Sequence, residues 1–524
     1  MSIHQLSLFF LTGFTGLALS GAAEFDLILR QGSIVDGTGK PAFIADLGIK
    51  DERIARIGRI TATGKREINL AGWTIAPGFI DVHTHAENIE KFPGATNFLR
   101  MGVTTLVLGN CGGSRTDLPK YFSALNKIGI SPNVATLIGH NTVRSRVMGG
   151  SFMRPPTSEE IEKMKSMVNR AMEDGVVGLA TGLIYLPGTF ARTEEIIELA
   201  KVASAHDGIY VSHMRSESDG VFDALDELFR IAREAKMPAH ISHIKASSQN
   251  NWGNSTRMLE HIGKARREGL SITQDQYVYP ASSTGISSLI PQKYRAGTRD
   301  EFRARMDDVS IKGQLIREMK DSLKKRGVPD FSYAVIASWS KDKTLNGLNL
   351  RQAAAKRRGS DSIDAQIELI LEIHASGGAS GVYHSQSEDD LRRFQKHPLT
   401  MFASDSGVRE FGNGVPHPRG YGNNARALAR YVRELKNISL EDAIRRMTSL
   451  PATTFQLKDR GVVREGAFAD LAVFNPQTVQ DHATFEKPHQ YATGFRLVIV
   501  NGKIVVENDR HLDTRPGKTL KRAE

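Results

Sequence analysis

The stretch Gly78-Phe79-Ile80-Asp81-Val82-His83-Thr84-His85 decides how the rest of the chain is read. The preceding Trp73-Thr74-Ile75-Ala76-Pro77 is β-prone and ends in a proline, so Gly78 opens a new element. Phe79 to Val82 reads as a short buried strand, and two histidines fall where it ends. Side chains two apart on a strand point the same way, so His83 and His85 can offer two imidazoles to one metal ion. Two ordinary loop histidines leave the same trace, and the wider chain has to decide between the readings.

Outward from that strand, apolar runs alternate with helical patterns. The runs are residues 78–82, 104–108, 134–138, 177–180, 209–211, 239–241, 270–273 and 400–403. Helical periodicity fills residues 158–173, 193–206 and 221–235 between them. Eight strands with intervening helices predict a closed parallel (β/α)8 barrel of the TIM type over residues 78–454. An open doubly wound sheet is disfavoured because no Gly-rich nucleotide turn follows the first strand. The gap between the seventh and eighth strands is too long for one helix. Residues 285–350 therefore read as an insertion, and 362–374 as the helix that resumes the barrel. Short β-prone runs lie on either side, Phe25-Asp26-Leu27-Ile28-Leu29 among the first and Leu497-Val498-Ile499-Val500 among the last. Neither set suffices alone, so residues 24–77 and 455–524 are expected to pair into one small β-sandwich domain.

With 524 residues, 40% hydrophobic and 24% charged, the composition is that of a globular chain with ample core. The net charge of +11 is scattered, with no aromatic-interleaved basic stripe and no nucleic-acid motif, so it reads as a mildly basic solvated surface. Leu6 to Leu19 is an apolar run followed by Ser20-Gly21-Ala22-Ala23, small residues suited to cleavage. Residues 1–23 therefore read as a signal peptide for a periplasmic or secreted protein, although only His4 stands where a basic region is usual. The run is too short to span a membrane. Cys111 is the sole cysteine, which excludes an internal disulfide and leaves a thiol that metal ligation would explain.

In such barrels the working residues lie at the C-terminal ends of the strands. Those ends carry His83 and His85, then Cys111, His140, Tyr185, His213, His243, Tyr279 and Asp405. Cys111 sits among glycines that suggest close backbone approach to a site. It serves either as a thiolate ligand in a mixed N and S zinc site or as a nucleophile, and the histidine count favours the ligand. His213 and His243 share one framing, apolar-Ser-His-apolar-base, so Arg215 and Lys245 stand ready to meet an anionic group. His240 is out of phase with His243 and reads as packing. Asp405 ends the last strand, where a carboxylate can bind metal and move a proton; capping a following helix is the alternative.

These residues bring the chain into resemblance with the amidohydrolase superfamily, and most closely with the D-aminoacylases (N-acyl-D-amino-acid deacylases). The likeness runs from about Phe25 to the C-terminus. It rests on the opening stretch, Gly109-Asn110-Cys111-Gly112, Ser212-His213-Met214-Arg215, Ser242-His243-Ile244-Lys245, Ser404-Asp405, His417-Pro418-Arg419 and Arg464-Glu465-Gly466-Ala467-Phe468-Ala469-Asp470-Leu471. The resemblance implies zinc-dependent hydrolysis of the amide bond of N-acyl-D-amino acids. It implies Cys111, His213 and His243 around a tight Zn2+, with His83, His85 and Asp405 at a weaker second site and Asp405 as catalytic base. It further implies Tyr185, Lys245, Tyr279 and Arg419 as substrate-binding residues for a small N-acyl amino acid. Ser406 stands where the family usually has glycine, and residues 408–416 depart from its common pattern. Hydrolysis of cyclic amides or isoaspartyl dipeptides is the alternative activity. A non-catalytic scaffold would have lost ligands, and none is missing.

Overall fold

The computed structural model describes residues 23–149 and 153–522. Eight parallel strands form its centre. They are β1 (Phe79–Asp81), β2 (Val103–Leu108) and β3 (Asn133–Thr136, resumed at Ile138–Gly139), then β4 (Gly178–Gly182) and β5 (Ile209–His213). β6 (Ala239–Ile241), β7 (Ile272–Gln276) and β8 (Thr400–Phe402) complete the set. Pairing runs β1-β2-β3 on one arc and β3-β4-β5-β6-β7-β8 on the other. The arcs meet where Thr84 bridges Ser406. There the Asp405 N–H donates to the His83 carbonyl at 2.9 Å and the His85 N–H to that of Ser406 at 2.8 Å. The ring thus closes through the backbone of the candidate ligands themselves. Asp81 reinforces the seam, since both its oxygens accept the Ser404 N–H at 3.1 Å.

The strands read as apolar runs because both of their faces are buried. Ile80, Val107, Ala135, Val177, Val211 and Met401 fill the interior, joined by Phe455 from beyond the barrel. Helices cover the outside. Ser158–Glu173 begins with a capping box between Thr157 and Glu160, two reciprocal bonds that satisfy its first free N–H groups. Val221–Ala235 buries Leu225, Leu228, Phe229 and Ala232, spaced three and four apart as a helix resting on a sheet requires. The seventh strand runs Ile272–Gln276, later than the expected 270–273, because Leu270 and Ser271 belong to the turn before it.

The insertion is longer than residues 285–350. Strands Ser282–Gly285, Ala334–Ser338 and Ser380–Tyr383 form their own antiparallel sheet. A separate apolar core backs it, drawn from residues between Ile286 and Tyr383. The helix expected over 362–374 to resume the barrel is Ile363–Ala375, and it buries Ile367, Ile370 and Ile373 in that insertion core. The barrel resumes instead at helix Glu388–Lys396, whose Leu391 and Phe394 join the barrel core. Periodicity shows that a helix has a buried face, not which core receives it.

Strands from both chain ends share one sheet. It has nine strands and branches at Phe25–Ile34, which pairs parallel with Gly64–Asn69 and then with Thr74–Pro77. Leu471–Phe474 joins the C-terminal strands to Thr74–Pro77, directly before β1. The signal peptide expected over residues 1–23 lies, save for Ala23, outside the described residues. Among those, no helix is long and apolar enough to cross a membrane.

Candidate metal centre

Six side chains from five strand ends meet at the C-terminal mouth of the barrel. His83 and His85 follow β1, Cys111 follows β2, His213 ends β5, His243 follows β6 and Asp405 follows β8. Cys111 Sγ lies 3.3 Å from His83 Nε2, 3.5 Å from His213 Nδ1 and 3.8 Å from His243 Nε2. Asp405 Oδ1 lies 3.6 Å from His83 Nε2 and 3.1 Å from His85 Nε2. Metal bonds of about 2.0–2.3 Å in a tetrahedral shell set neighbouring donor atoms roughly 3.3–3.8 Å apart. Most of these separations match the edges of such a shell. His213 Nε2 is also buried without a hydrogen-bond partner. Thiolate, imidazole and carboxylate are the donors a divalent transition metal takes. The residues fit a metal ion.

The backbone is bent to bring them there. Cys111, His243 and Asp405 have φ of 53°, 34° and 49°, a left-handed conformation that costs non-glycine residues energy. Three predicted ligands adopt it just past their strands, while no residue inside the eight barrel strands does. The glycines around Cys111 do allow close approach, but to neighbouring strand ends. A Cβ on Gly109 would strike the Leu137 carbonyl, and one on Gly112 would strike Asn141 Oδ1 and Gly182 N.

The electrostatics match the donor set. Burial alone would raise the Cys111 thiol, yet His83 and His213, with hydrogen-bond contacts from His213 and His243, hold it well below the usual thiol range. Desolvation opposes charge on His85, though its side chain is 40% exposed at the mouth, and Asp405 and Cys111 push it up to about 10. Asp405 is likewise raised by burial and lowered more strongly by Arg419, His83 and His85, so it stays ionised far below neutrality. A bound cation would replace the protons these imidazoles hold.

Three carboxylates that sequence reasoning passed over hold the ligands in place. Asp275, inside β7, accepts from His83 Nδ1 at 3.2 Å, His240 Nε2 at 2.9 Å and the His243 N–H at 3.0 Å. With His83 Nδ1 donating, its Nε2 is left free to face Cys111 and Asp405. His240 is thus packed, as expected, but also fixed by that carboxylate. Glu217 lies 2.9 Å from His243 Nδ1 and 2.6 Å from Lys245 Nζ, and burial is outweighed by Lys245 and His243 in holding it ionised. Asp81 accepts the His83 N–H at 3.2 Å, and burial pushes its own carboxyl up to about 7. A carboxylate ending an otherwise apolar strand was the signal available for Asp81, whereas Asp275 stands among Thr273, Gln274 and Gln276 and gave no such contrast. Glu217 lies in an irregular loop and left none.

The expected substrate residues divide. The Tyr185 ring stands 4.9 Å from that of His213, and its hydroxyl accepts from Thr284 Oγ1 at 3.2 Å. Lys245 is buried against His243 and Glu217. Arg419 opens helix Arg419–Arg426, with Nη1 2.9 Å from Asp405 Oδ2 but without hydrogen-bond alignment. His417 fixes that helix start, donating through Nε2 to the Ala281 carbonyl at 2.9 Å and accepting the Arg419 N–H at 3.1 Å. Asp405 caps no helix, since residues 406–418 separate it from Arg419. Tyr279 does not reach the cluster. It packs on His417, Phe485 and Arg426, and Gly422 leaves room for its hydroxyl. Tyr277 takes the place instead, 4.5 Å beneath Arg419 and 5.8 Å from Lys245 Nζ. β7 ends at Gln276, so Tyr277 is the first residue past it. Arg215 is no anion hook, because Glu227 and the carbonyls of Thr189 and Ala191 take up its donors. His140 is paired with Glu195, away from the ligands.

Comparison with known proteins agrees with this geometry. The model of the amidohydrolase family matches residues 66–506. A D-aminoacylase of Alcaligenes xylosoxydans xylosoxydans is 34% identical over 533 residues, spanning 97% of this chain and 99% of the relative. A solved D-aminoacylase, described by its binuclear metal centre, superposes with a TM-score of 0.81 at 33% identity, covering 95% of this chain and 100% of the other. The N-acyl-D-glutamate deacylase of Bordetella bronchiseptica, solved with zinc and a phosphonate mimic of the tetrahedral intermediate, gives the same TM-score of 0.81, identity of 33% and coverage of 95% and 100%. A mouth of metal donors on a barrel, matched along nearly its whole length, places this chain in the amidohydrolase family as a metal-dependent hydrolase.

Proposed function

We infer that this enzyme uses zinc to hydrolyse the amide bond of N-acyl-D-amino acids, releasing a carboxylate and a D-amino acid. The observation that carries the reading is Asp405, whose Oδ1 faces His85 at 3.1 Å while Oδ2 faces Arg419 at 2.9 Å. One carboxylate joins the donor cluster to a cation suited to a substrate carboxylate. The deacylases named above, alike over nearly their full length, support the substrate class.

Cys111, His213 and His243 would hold the tighter ion, and His83, His85 and Asp405 a second. A divalent ion in this setting supplies Lewis acidity, polarising an amide carbonyl and acidifying water. Asp405 is a weak base, because its neighbours favour the carboxylate, so it can take a proton only from an acidified donor. It then returns that proton to the departing amine nitrogen, whose basicity far exceeds its own. Arg419 and Tyr277 flank the place for the α-carboxylate, with Tyr185 on the facing wall, and an asymmetric grip of this kind selects one configuration at Cα. Export to the periplasm or the medium belongs to the same reading, and N-terminal sequencing of chain recovered from each compartment checks it.

The test is a panel of N-acetyl-D-amino acids, their L-enantiomers and cyclic amides given to the zinc-loaded chain. Selective turnover of the D-series is expected. Turnover of the cyclic amides alone would move the substrate to that class.

A further inference from the structure

The two ion positions of the metal centre are backed by opposite charges. Behind the first, Glu217 lies 2.9 Å from His243 Nδ1, and Asp275 accepts the His243 N–H at 3.0 Å. Behind the second, Arg419 Nη1 lies 2.9 Å from Asp405 Oδ2. A further guanidinium belongs to Arg409, in the loop that leads from Asp405 to Arg419.

A knot of polar contacts seats Arg409 beside both residues. Its Nε donates to Ser406 Oγ at 3.4 Å, and its backbone N–H to Asn97 Oδ1 at 3.4 Å. Asn97 Nδ2 donates in turn to the Gly407 carbonyl at 3.3 Å and the Gly420 carbonyl at 2.9 Å, so one buried amide ties both ends of the loop to Arg409. The Ser406 hydroxyl is pressed against the backbone next to Arg419, where a Cβ on Gly420 would lie 2.6 Å from it. Ser406 also stands on the seam that closes the barrel, since its carbonyl accepts the His85 N–H at 2.8 Å.

The charge on Arg409 has little to balance it. The residue is half-buried, and among the described residues no carboxylate lies within ion-pair distance. Burial and Arg419 oppose its charge, while Tyr421 and Asp405 favour it. Asp405 thus already answers to two imidazoles and two guanidiniums. An incoming divalent ion can displace the protons of the imidazoles, but a guanidinium keeps its charge and goes on repelling the ion.

We propose that Arg409, seated by Ser406, holds down the affinity of the second ion position at His83, His85 and Asp405 and leaves the first, at Cys111, His213 and His243, unaffected. The proposal rests on the two-position reading of the metal centre and is independent of the substrate. An ion at the second position draws on Asp405, so a low affinity there keeps that carboxylate for the proton that hydrolysis moves.

The metal-free full chain is titrated with Zn2+ in a calorimeter, and ions per chain are counted after dialysis against rising free zinc. The parent is expected to bind one ion tightly and a second far more weakly, and His85→Ala to lose the weak step. Arg409→Gln is expected to tighten the weak step by roughly tenfold or more, a modest share of what a unit charge exerts on a dication across a partly buried gap, with the tight step unchanged. Arg409→Lys keeps the charge and is expected to match the parent. Ser406→Ala unseats the guanidinium and is expected to fall between the parent and Arg409→Gln. A weak step that is equal in the parent and Arg409→Gln, or weaker in the variant, overturns the proposal and leaves the two-position reading standing. A single step in both, even at millimolar zinc, removes that reading and the proposal with it. Should Arg409→Gln not fold, Ser406→Ala decides the question: a tighter weak step supports the proposal, and an equal one overturns it.

Discussion

Asp275 offers the sharpest test of how the barrel builds its metal centre. Its carboxylate faces three donors, His83 Nδ1–H at 3.2 Å, His240 Nε2–H at 2.9 Å and the His243 N–H at 3.0 Å. In Asp275→Asn the shape survives but only one oxygen remains, so the new NH2 must confront at least one donor. If it confronts His83, that ring has to turn or move its proton to Nε2, and either change withdraws Nε2 from Cys111 and Asp405. Loss of one outer partner of a ligating histidine weakens metal binding by about 10–100-fold. Removing the buried charge beside His83 and His240 costs stability as well, about 3 kcal/mol at the lower end of what broken buried pairs cost. Chelator competition reads the first quantity and denaturant unfolding of the apoprotein the second. A folded Asp275→Asn variant that binds metal as tightly as the parent would refute the idea that β7 orients His83.

Other predictions follow from single contacts. Asp405→Ala is expected to keep the ion at Cys111, His213 and His243 while turnover falls to background, which metal analysis and single-turnover assays check together. Gly112→Ala puts a Cβ against Asn141 Oδ1 at φ +79°, and a loss of roughly 2–5 kcal/mol in unfolding free energy is expected together with weaker metal retention. Tyr277→Phe removes the hydroxyl that accepts from Gln386 at 2.8 Å beside Arg419 and is expected to raise KM, whereas Tyr279→Phe leaves KM where it was. His374, on the insertion helix Ile363–Ala375, has its pKa lowered from 6.5 to about 4 by burial and by Arg295, Arg299 and Arg305. The unfolded chain takes a proton there that the folded chain refuses, so this contribution is complete above about pH 6.5 and fades toward pH 4. Thermal unfolding across that window should slope less steeply in His374→Gln.

The barrel and the cluster of donor side chains at its mouth were legible because both follow from local pattern. Short apolar runs at helix-length intervals indicated the strands, and donor side chains past five of the eight runs indicated the candidate ligands His83, His85, Cys111, His213, His243 and Asp405, which the fold brings together. The second layer was not legible for reasons of geometry. Asp275 sits inside a strand whose limits were placed two to three residues early, so it fell just past the expected element. Glu217 reaches His243 across two strand-end loops, a contact that no single-chain spacing encodes. The insertion was recognised by its length, but its helix Ile363–Ala375 carries an apolar face that would suit either core, and only packing assigns it. Arg215 looked like an anion hook because its carbonyl partners Thr189 and Ala191 come from the preceding strand's loop.

If amide hydrolysis takes place at an ion that Cys111 holds, metal uptake and turnover depend on the same thiolate. The most direct measurement is cobalt(II) substitution of the purified chain, reading the thiolate-to-metal charge-transfer band alongside turnover of N-acetyl-D-amino acids. A band and turnover that rise together with added metal, both lost in Cys111→Ala, are expected. Turnover without any thiolate band, or a band and activity that persist in Cys111→Ala, would contradict that dependence.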